Sequence, residues 1–194
     1  MKTGVLYGVG LGPGDPELVT LKAARLIGAA DVVAYPTLAG GDSFARAIAA
    51  DLIKPNAVEI IMDVPMSVER TPAQAAYDTG AAAMREALDR GQDVVCLCEG
   101  DPFFYGSFMY LFARLSDAYY VEVVPGVTSV TACAARAGMP LAARNERLTV
   151  LPGPLPSRYR PSGNATQTRQ RQPYCCPPKH CLPDFSQRSF LPNG

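Results

Sequence analysis

The chain has 194 residues, 48% of them hydrophobic and 19% charged, and none of its apolar runs approaches the roughly 20 residues that a membrane-spanning helix requires. The opening Met1-Lys2-Thr3-Gly4 carries one basic residue and leads into a stretch too short and too glycine-rich for a secretory signal, which argues against export. Net charge is zero, but residues 1–156 carry −5 and residues 157–194 carry +5, so the part with folded character lacks the basic face of a nucleic-acid binder.

In chain order, short β-rich runs alternate with helical stretches. Strands are predicted at Val5–Val9, Asp31–Tyr35, Val58–Met62, Asp93–Glu99, Val121–Val124 and Leu148–Leu151. Most are continuous apolar runs, which suits strands covered on both faces. Helices are predicted at Pro16–Gly28, Ser43–Ile53, Thr71–Arg90, Ser107–Leu115 and Thr128–Gly138. In the third, Thr71 is placed to cap the start, Pro72 suits the first helical position, and Gly91 ends it. Its Ala73, Ala76, Tyr77, Met84, Ala87 and Leu88 recur at helical spacing. Regular β-α alternation predicts an α/β fold with a three-layer, mostly parallel sheet.

The composition changes at Ser157. Residues 157–194 hold six prolines, four glutamines and five arginines, with only Leu182 and Leu191 from the Leu/Ile/Val class. Such a segment buries too little apolar surface to offset its ordering entropy, so disorder is expected there. The run Cys175-Cys176-Pro-Pro-Lys-His180-Cys181 does not match zinc-ligand spacing, and no metal site is expected. Cys96, Cys98 and Cys133 lie in apolar runs and read as small buried hydrophobes in a reducing cytoplasm.

Ligands of parallel sheets bind beyond the carboxyl ends of the strands. Three turn-rich segments fall there: Gly8–Pro16, Glu99–Gly106 and Pro125–Ser129. The first fails the dinucleotide spacing in both frames, because Pro13 and Asp15 stand where glycine is needed, and no G-K-[ST] follows. Asp101, between Gly100 and Pro102, is a carboxylate on a rigid turn, suited to a cationic ligand or to capping the helix that starts near Gly106. Phe103, Phe104 and Tyr105 offer stacking surface. Residues 1–151 contain no histidine and no G-x-S-x-G, so chemistry that depends on positioning remains.

These loops resemble the tetrapyrrole methyltransferases over residues 4 to about 156. The resemblance rests on Gly8–Ala23, Leu97–Ser107 and Val123–Ser129. Phe104–Tyr110 and Met62–Met66 point, within the family, to the branch that methylates C20 of precorrin-2. It implies S-adenosylmethionine as cofactor, a tetrapyrrole substrate, two α/β domains with the cofactor between them, and a homodimer where the second domain is complete. It carries cofactor contact onto Pro13, Gly100, Asp101, Phe104, Thr128 and Ser129. Arg70, Arg144 and Arg147 read equally as partners of substrate carboxylates and as solvated charges. The implied organisation is an amino-terminal domain at 1–147, the opening of an interrupted second domain at 148–156, and a tail at 157–194, with little activity expected of the chain as written. Other tetrapyrrole substrates (uroporphyrinogen III, another precorrin, cobalt-factor II) and a non-catalytic half-domain that binds the cofactor stay open.

Overall fold

The computed structural model describes residues 2–38, 41–65 and 70–151. Five strands, β1 (Leu6–Gly10), β2 (Val32–Leu38), β3 (Val58–Val64), β4 (Val94–Cys98) and β5 (Val121–Val124), form one sheet in the order β3-β2-β4-β1-β5. Every pairing is parallel. Five helices accompany them: α1 (Leu21–Ala29), α2 (Phe44–Ile48), α3 (Arg70–Asp89), α4 (Phe108–Leu115) and α5 (Ser129–Ala137). The expected α/β architecture is therefore present, and five of the six predicted strands form.

The strand order determines which face each helix covers. From β1 the chain steps towards β3 through α1 and α2, then reverses towards β5 through α3 and α4. Crossovers of one hand put connections running in opposite directions on opposite faces of a sheet. Accordingly Ala23 and Ile27 of α1 and Ala45 and Ile48 of α2 pack with Val9, Val33, Val95 and Leu97. Tyr77, Met84 and Leu88 of α3 and Phe108, Leu111 and Leu115 of α4 pack with Leu6, Val32, Val94 and Cys96 on the other side. Alternate residues of β2 and β4 thus enter different cores, which is why both read as unbroken apolar runs.

Local chemistry corrects several boundaries. The first predicted helix is two elements, a 3-10 turn at Pro16–Leu18 whose start Asp15 caps, and α1, capped by Thr20 through the Ala23 N–H at 3.2 Å. The second is cut to Phe44–Ile48, because Ala49 leaves helical geometry. Helix α3 begins at Arg70, so Thr71 is not its cap and Pro72 is its third residue rather than its first. Proline is tolerated there because first-turn N–H groups have no intrahelical partner. Its end is as expected: Gly91 adopts φ +78° and donates to the Leu88 carbonyl at 2.9 Å.

The chain divides into two compact units, Met1–Leu141 and Ala142–Gly194. In the second, the predicted strand Leu148–Leu151 is absent: these residues are exposed and pair with no strand among the described residues, and a lone extended segment has no ladder to hold it. The expectations for residues 152–194 lie outside the described residues. Cys96 and Cys98 are buried as expected, whereas Cys133 is exposed on α5, which buries none of its residues. No helix among the described residues is long and apolar enough to cross a membrane.

Candidate functional site

The order β4-β1-β5 makes the loops leaving these three carboxyl ends neighbours. They are tied together by their backbones. Gly100 donates its N–H to the Gly12 carbonyl at 2.8 Å and accepts from the Gly12 N–H at 3.2 Å, while the Leu11 N–H reaches the Cys98 carbonyl at 2.9 Å. The β1 and β4 loops therefore continue as a pair beyond the sheet. The β5 loop joins them through the Gly126 N–H, which donates to Asp101 Oδ2 at 3.0 Å.

Glycine is needed where the loops cross. A Cβ on Gly10 would lie 2.6 Å from the Gly126 nitrogen and 2.7 Å from the Gly100 oxygen, and one on Gly126 would overlap that same carbonyl oxygen. Three backbones approach too closely for any side chain. Gly100 differs. It holds φ +63°, yet a Cβ there would meet nothing within 4 Å. Its bare α-carbon faces open space on the rim.

Asp101 turns out to be the clasp of this junction and not a cap for α4. Oδ1 accepts the Phe103 N–H at 2.9 Å and Oδ2 accepts the Gly126 N–H, so one carboxylate shapes its own turn and holds the β5 loop. Helix α4 starts after Ser107 with no side-chain cap. Of the aromatic run, Phe103 packs edge-on against Phe112, with ring centroids 5.1 Å apart. Phe104 and Tyr105 meet edge to face and remain exposed. Tyr105 holds φ 57°, a left-handed conformation that is rare outside glycine.

The other expected contacts are distributed over the same rim. Pro13 is half-buried between Gly12 and Gly14, both at positive φ. Thr128 caps α5, its hydroxyl accepting the Thr131 N–H at 3.4 Å, and Ser129 is the exposed first residue of that helix. Pro13, Gly100, Asp101, Phe104, Thr128 and Ser129 thus all lie on the three loops that Gly12–Gly100 and Asp101–Gly126 join. Arg144 and Arg147 are exposed in the second unit, and the Arg70 side chain lies outside the described residues.

Sequence reasoning passed over Glu99. It is the last residue before Gly100, solvent-reachable, with no hydrogen bond or ion pair among the described residues. Desolvation alone pushes its carboxyl above the usual range. Its only sequence signal was its place next to Gly100. By contrast Glu59 is held below the usual range by the Arg46 guanidinium and the Tyr35 hydroxyl, in a cluster across β2, β3 and α2. At the opposite, amino ends of the strands a cavity of about 280 Å³ is lined by Tyr7, Leu26, Asp31 and Asp93. Its carboxylates are already engaged, Asp31 by Lys54 and Asp93 by the Val5 N–H. The carboxyl-end rim is the candidate site.

The sequence profile of the Tetrapyrrole (Corrin/Porphyrin) Methylases matches residues 5–171. The cobalamin biosynthesis protein CobIJ of Mycobacterium tuberculosis (strain ATCC 25618 / H37Rv) is 49% identical over 162 residues, covering 79% of this chain and 32% of its own length. A precorrin-2 C(20)-methyltransferase from a Sinorhizobium species is 43% identical over 160 residues, covering 78% of this chain and 65% of its own. Among solved structures, the uroporphyrin-III C-methyltransferase of Thermus thermophilus complexed with S-adenosylhomocysteine aligns with TM-score 0.50 and 35% identity, over 73% of this chain and 51% of that one. The chain spans less than two thirds of each of these proteins.

Proposed function

From the premise that the chain belongs to the tetrapyrrole methylase family, we propose that its three-loop rim holds S-adenosylmethionine for methyl transfer to C20 of precorrin-2. The observation that carries this reading is the junction of Gly10, Gly100 and Gly126, which closes the loops on one another and leaves open space only in front of Gly100. The residues fit such a cofactor. Backbone groups and a positive-φ glycine admit a close ligand, exposed Phe104 offers it an apolar wall, and the amino end of α5 favours a carboxylate.

When bound, the cofactor supplies an activated methyl group on a positively charged sulfur, open to displacement by a carbon nucleophile. The protein's own work is alignment. Pro13 and Gly100 shape the two walls of the cradle, and Asp101 fixes the distance between the β4 and β5 loops. Thr128 and Ser129 present the first turn of α5. Holding donor and acceptor in line lowers the barrier without any acid–base residue, by up to about 7–11 kcal/mol in well-oriented reactions. The choice of precorrin-2 rests on the 43% identity to the Sinorhizobium precorrin-2 C(20)-methyltransferase.

Titration of the full chain with S-adenosylhomocysteine by calorimetry tests the cofactor, and saturable one-to-one binding is expected. Incubation with labelled S-adenosylmethionine and either precorrin-2, cobalt-factor II or uroporphyrinogen III tests the substrate. Transfer is expected to be slow, with whatever label is transferred found in precorrin-2 alone. Label in one of the others reassigns the substrate, and absence of S-adenosylhomocysteine binding overturns the reading.

A further inference from the structure

The loop between β4 and α4 closes on itself. A Cβ on Gly106 would lie 2.6 Å from the Pro102 carbonyl oxygen and 2.8 Å from that of Asp101, so residue 106 sits directly against residues 101 and 102. The Phe104 N–H donates to the Asp101 carbonyl at 3.3 Å, and the Asp101 carboxylate ties the same turn to the β5 loop. The three aromatic rings held between these ties go separate ways. Phe103 turns onto Phe108 and Phe112 of α4, with centroids 6.2 and 5.1 Å away. Phe104 and Tyr105 stand at 87° to each other with centroids 5.1 Å apart, and they stay 38% and 62% exposed. Tyr105 holds φ 57° in doing so. A bulky residue in the left-handed region is strained, and such strain persists where the surrounding structure enforces it, often at ligand sites. Among the described residues the Tyr105 ring has one aromatic partner, Phe104, and its hydroxyl has no hydrogen bond. Strain and exposure are both unfavourable, and a flat ligand lying on the ring offsets them.

We propose that Tyr105 is a substrate-binding residue whose ring takes one face of the tetrapyrrole. This rests on the cofactor and substrate reading above. The two exposed rings, perpendicular and in contact, are adjacent walls of one corner. With the methyl donor against Phe104, a disc laid on Tyr105 meets the donor at that corner, which is the proximity that methyl transfer needs. A tetrapyrrole is apolar across its faces and carries its carboxylates at its edge. Stacking on an aromatic ring therefore buries the faces and leaves the carboxylates in water. The closed loop fixes the backbone beneath the ring, so little freedom is lost on binding.

The test compares the full chain as wild type, Tyr105→Gly and Tyr105→Phe. Precorrin-2 binding is followed by its absorption under anaerobic conditions with S-adenosylhomocysteine present, and S-adenosylhomocysteine binding alone by calorimetry. Tyr105→Gly removes the ring and suits φ 57°, whereas Tyr105→Phe keeps the ring and drops the hydroxyl. Tyr105→Gly is expected to bind precorrin-2 about tenfold more weakly, equal to about 1.4 kcal/mol, with neither S-adenosylhomocysteine affinity nor melting temperature lowered. Tyr105→Phe is expected to bind both as wild type does. Unchanged precorrin-2 affinity in Tyr105→Gly overturns the proposal and leaves the cofactor and substrate reading standing. An equal loss for both ligands, or a lowered melting temperature, shows that Tyr105 shapes the loop and overturns it as well. Tyr105→Phe as weak as Tyr105→Gly assigns the contact to the hydroxyl and overturns the stacking. A wild-type dimer that becomes a monomer in Tyr105→Gly, read by light scattering, gives the ring to a second copy and has the same consequence. Should Tyr105→Gly fail to fold, Tyr105→Asn, which also tolerates left-handed backbone, carries the same comparison. Wild type that binds S-adenosylhomocysteine but not precorrin-2 removes the substrate reading and this proposal with it.

Discussion

Gly100 and Gly126 touch across the same junction and have opposite tolerances. An alanine methyl at Gly126 would overlap the Gly100 carbonyl oxygen, and the neighbouring Gly10 backbone leaves no retreat. Gly126→Ala should cost about 3 kcal/mol in chemical denaturation, at the upper end for overpacking. Gly100→Ala meets only its own φ of +63°, a cost of about 1 kcal/mol. Its methyl instead fills the cradle, so the protein folds while S-adenosylhomocysteine affinity drops at least tenfold. A Gly100→Ala chain that binds normally would show that the ligand lies elsewhere. Glu99 predicts a pH effect on stability. Its folded carboxyl titrates above the ordinary value of 4.5. Below that value it is protonated in both states and contributes nothing. As pH rises through the raised folded value, ionisation costs the native state more than the unfolded one. Glu99→Gln should therefore match wild type in melting temperature near pH 4 and exceed it at pH 8. Equal melting temperatures at both pH values would show that the carboxyl is ordinarily hydrated. The glycines were readable as turn residues, but which backbones they let meet was not, because close approach is a property of two loops distant in sequence.

Among the elements, strands were the most legible part, since burial on both faces forces apolar residues at every position of β4. Strand order was not legible: β4 pairs with β1 and β2, some 90 and 60 residues away, and nothing local encodes that choice. Helix starts failed where two caps compete, as Asp15 and Thr20 do ahead of α1. Helix α5 was placed correctly, to within one residue at each end, by its cap Thr128 and by Gly138, which closes it at φ 64°. It buries no side chain, so its stability depends unusually on that cap. Thr128→Ala should cost about 1 kcal/mol. The loss should appear as faster amide exchange confined to residues 129–137, with β1 and β4 still protected, because local opening needs few buried contacts. Uniform loss of protection would mean that α5 is part of the cooperative core.

At the scale of the molecule, the reversal of chain direction after β3 is what turns separate loops into a site. Helices α1 and α4 leave β1 and β4 towards opposite faces, so the crevice between those strand ends opens away from both cores, while Gly12 and Gly100 keep it shut at its base. A ligand seated there touches loops belonging to the central strands, and releasing it requires nothing of the sheet. Unfolding the sheet, however, requires releasing the ligand. Binding to the native state alone stabilises by about 2.7 kcal/mol at a hundredfold excess over Kd, which for a domain of this size raises the melting temperature by about 5–10 °C. Asp101→Asn should weaken that effect more than it weakens the free protein. The amide keeps only one acceptor oxygen, so either the Phe103 turn or the Gly126 tie is lost, and the β5 loop drifts from the rim while β1, β4 and both cores stay packed. The measurement is a melting series with and without S-adenosylhomocysteine. A ligand-induced shift in Asp101→Asn as large as in wild type would show that the clasp holds the fold and not the site.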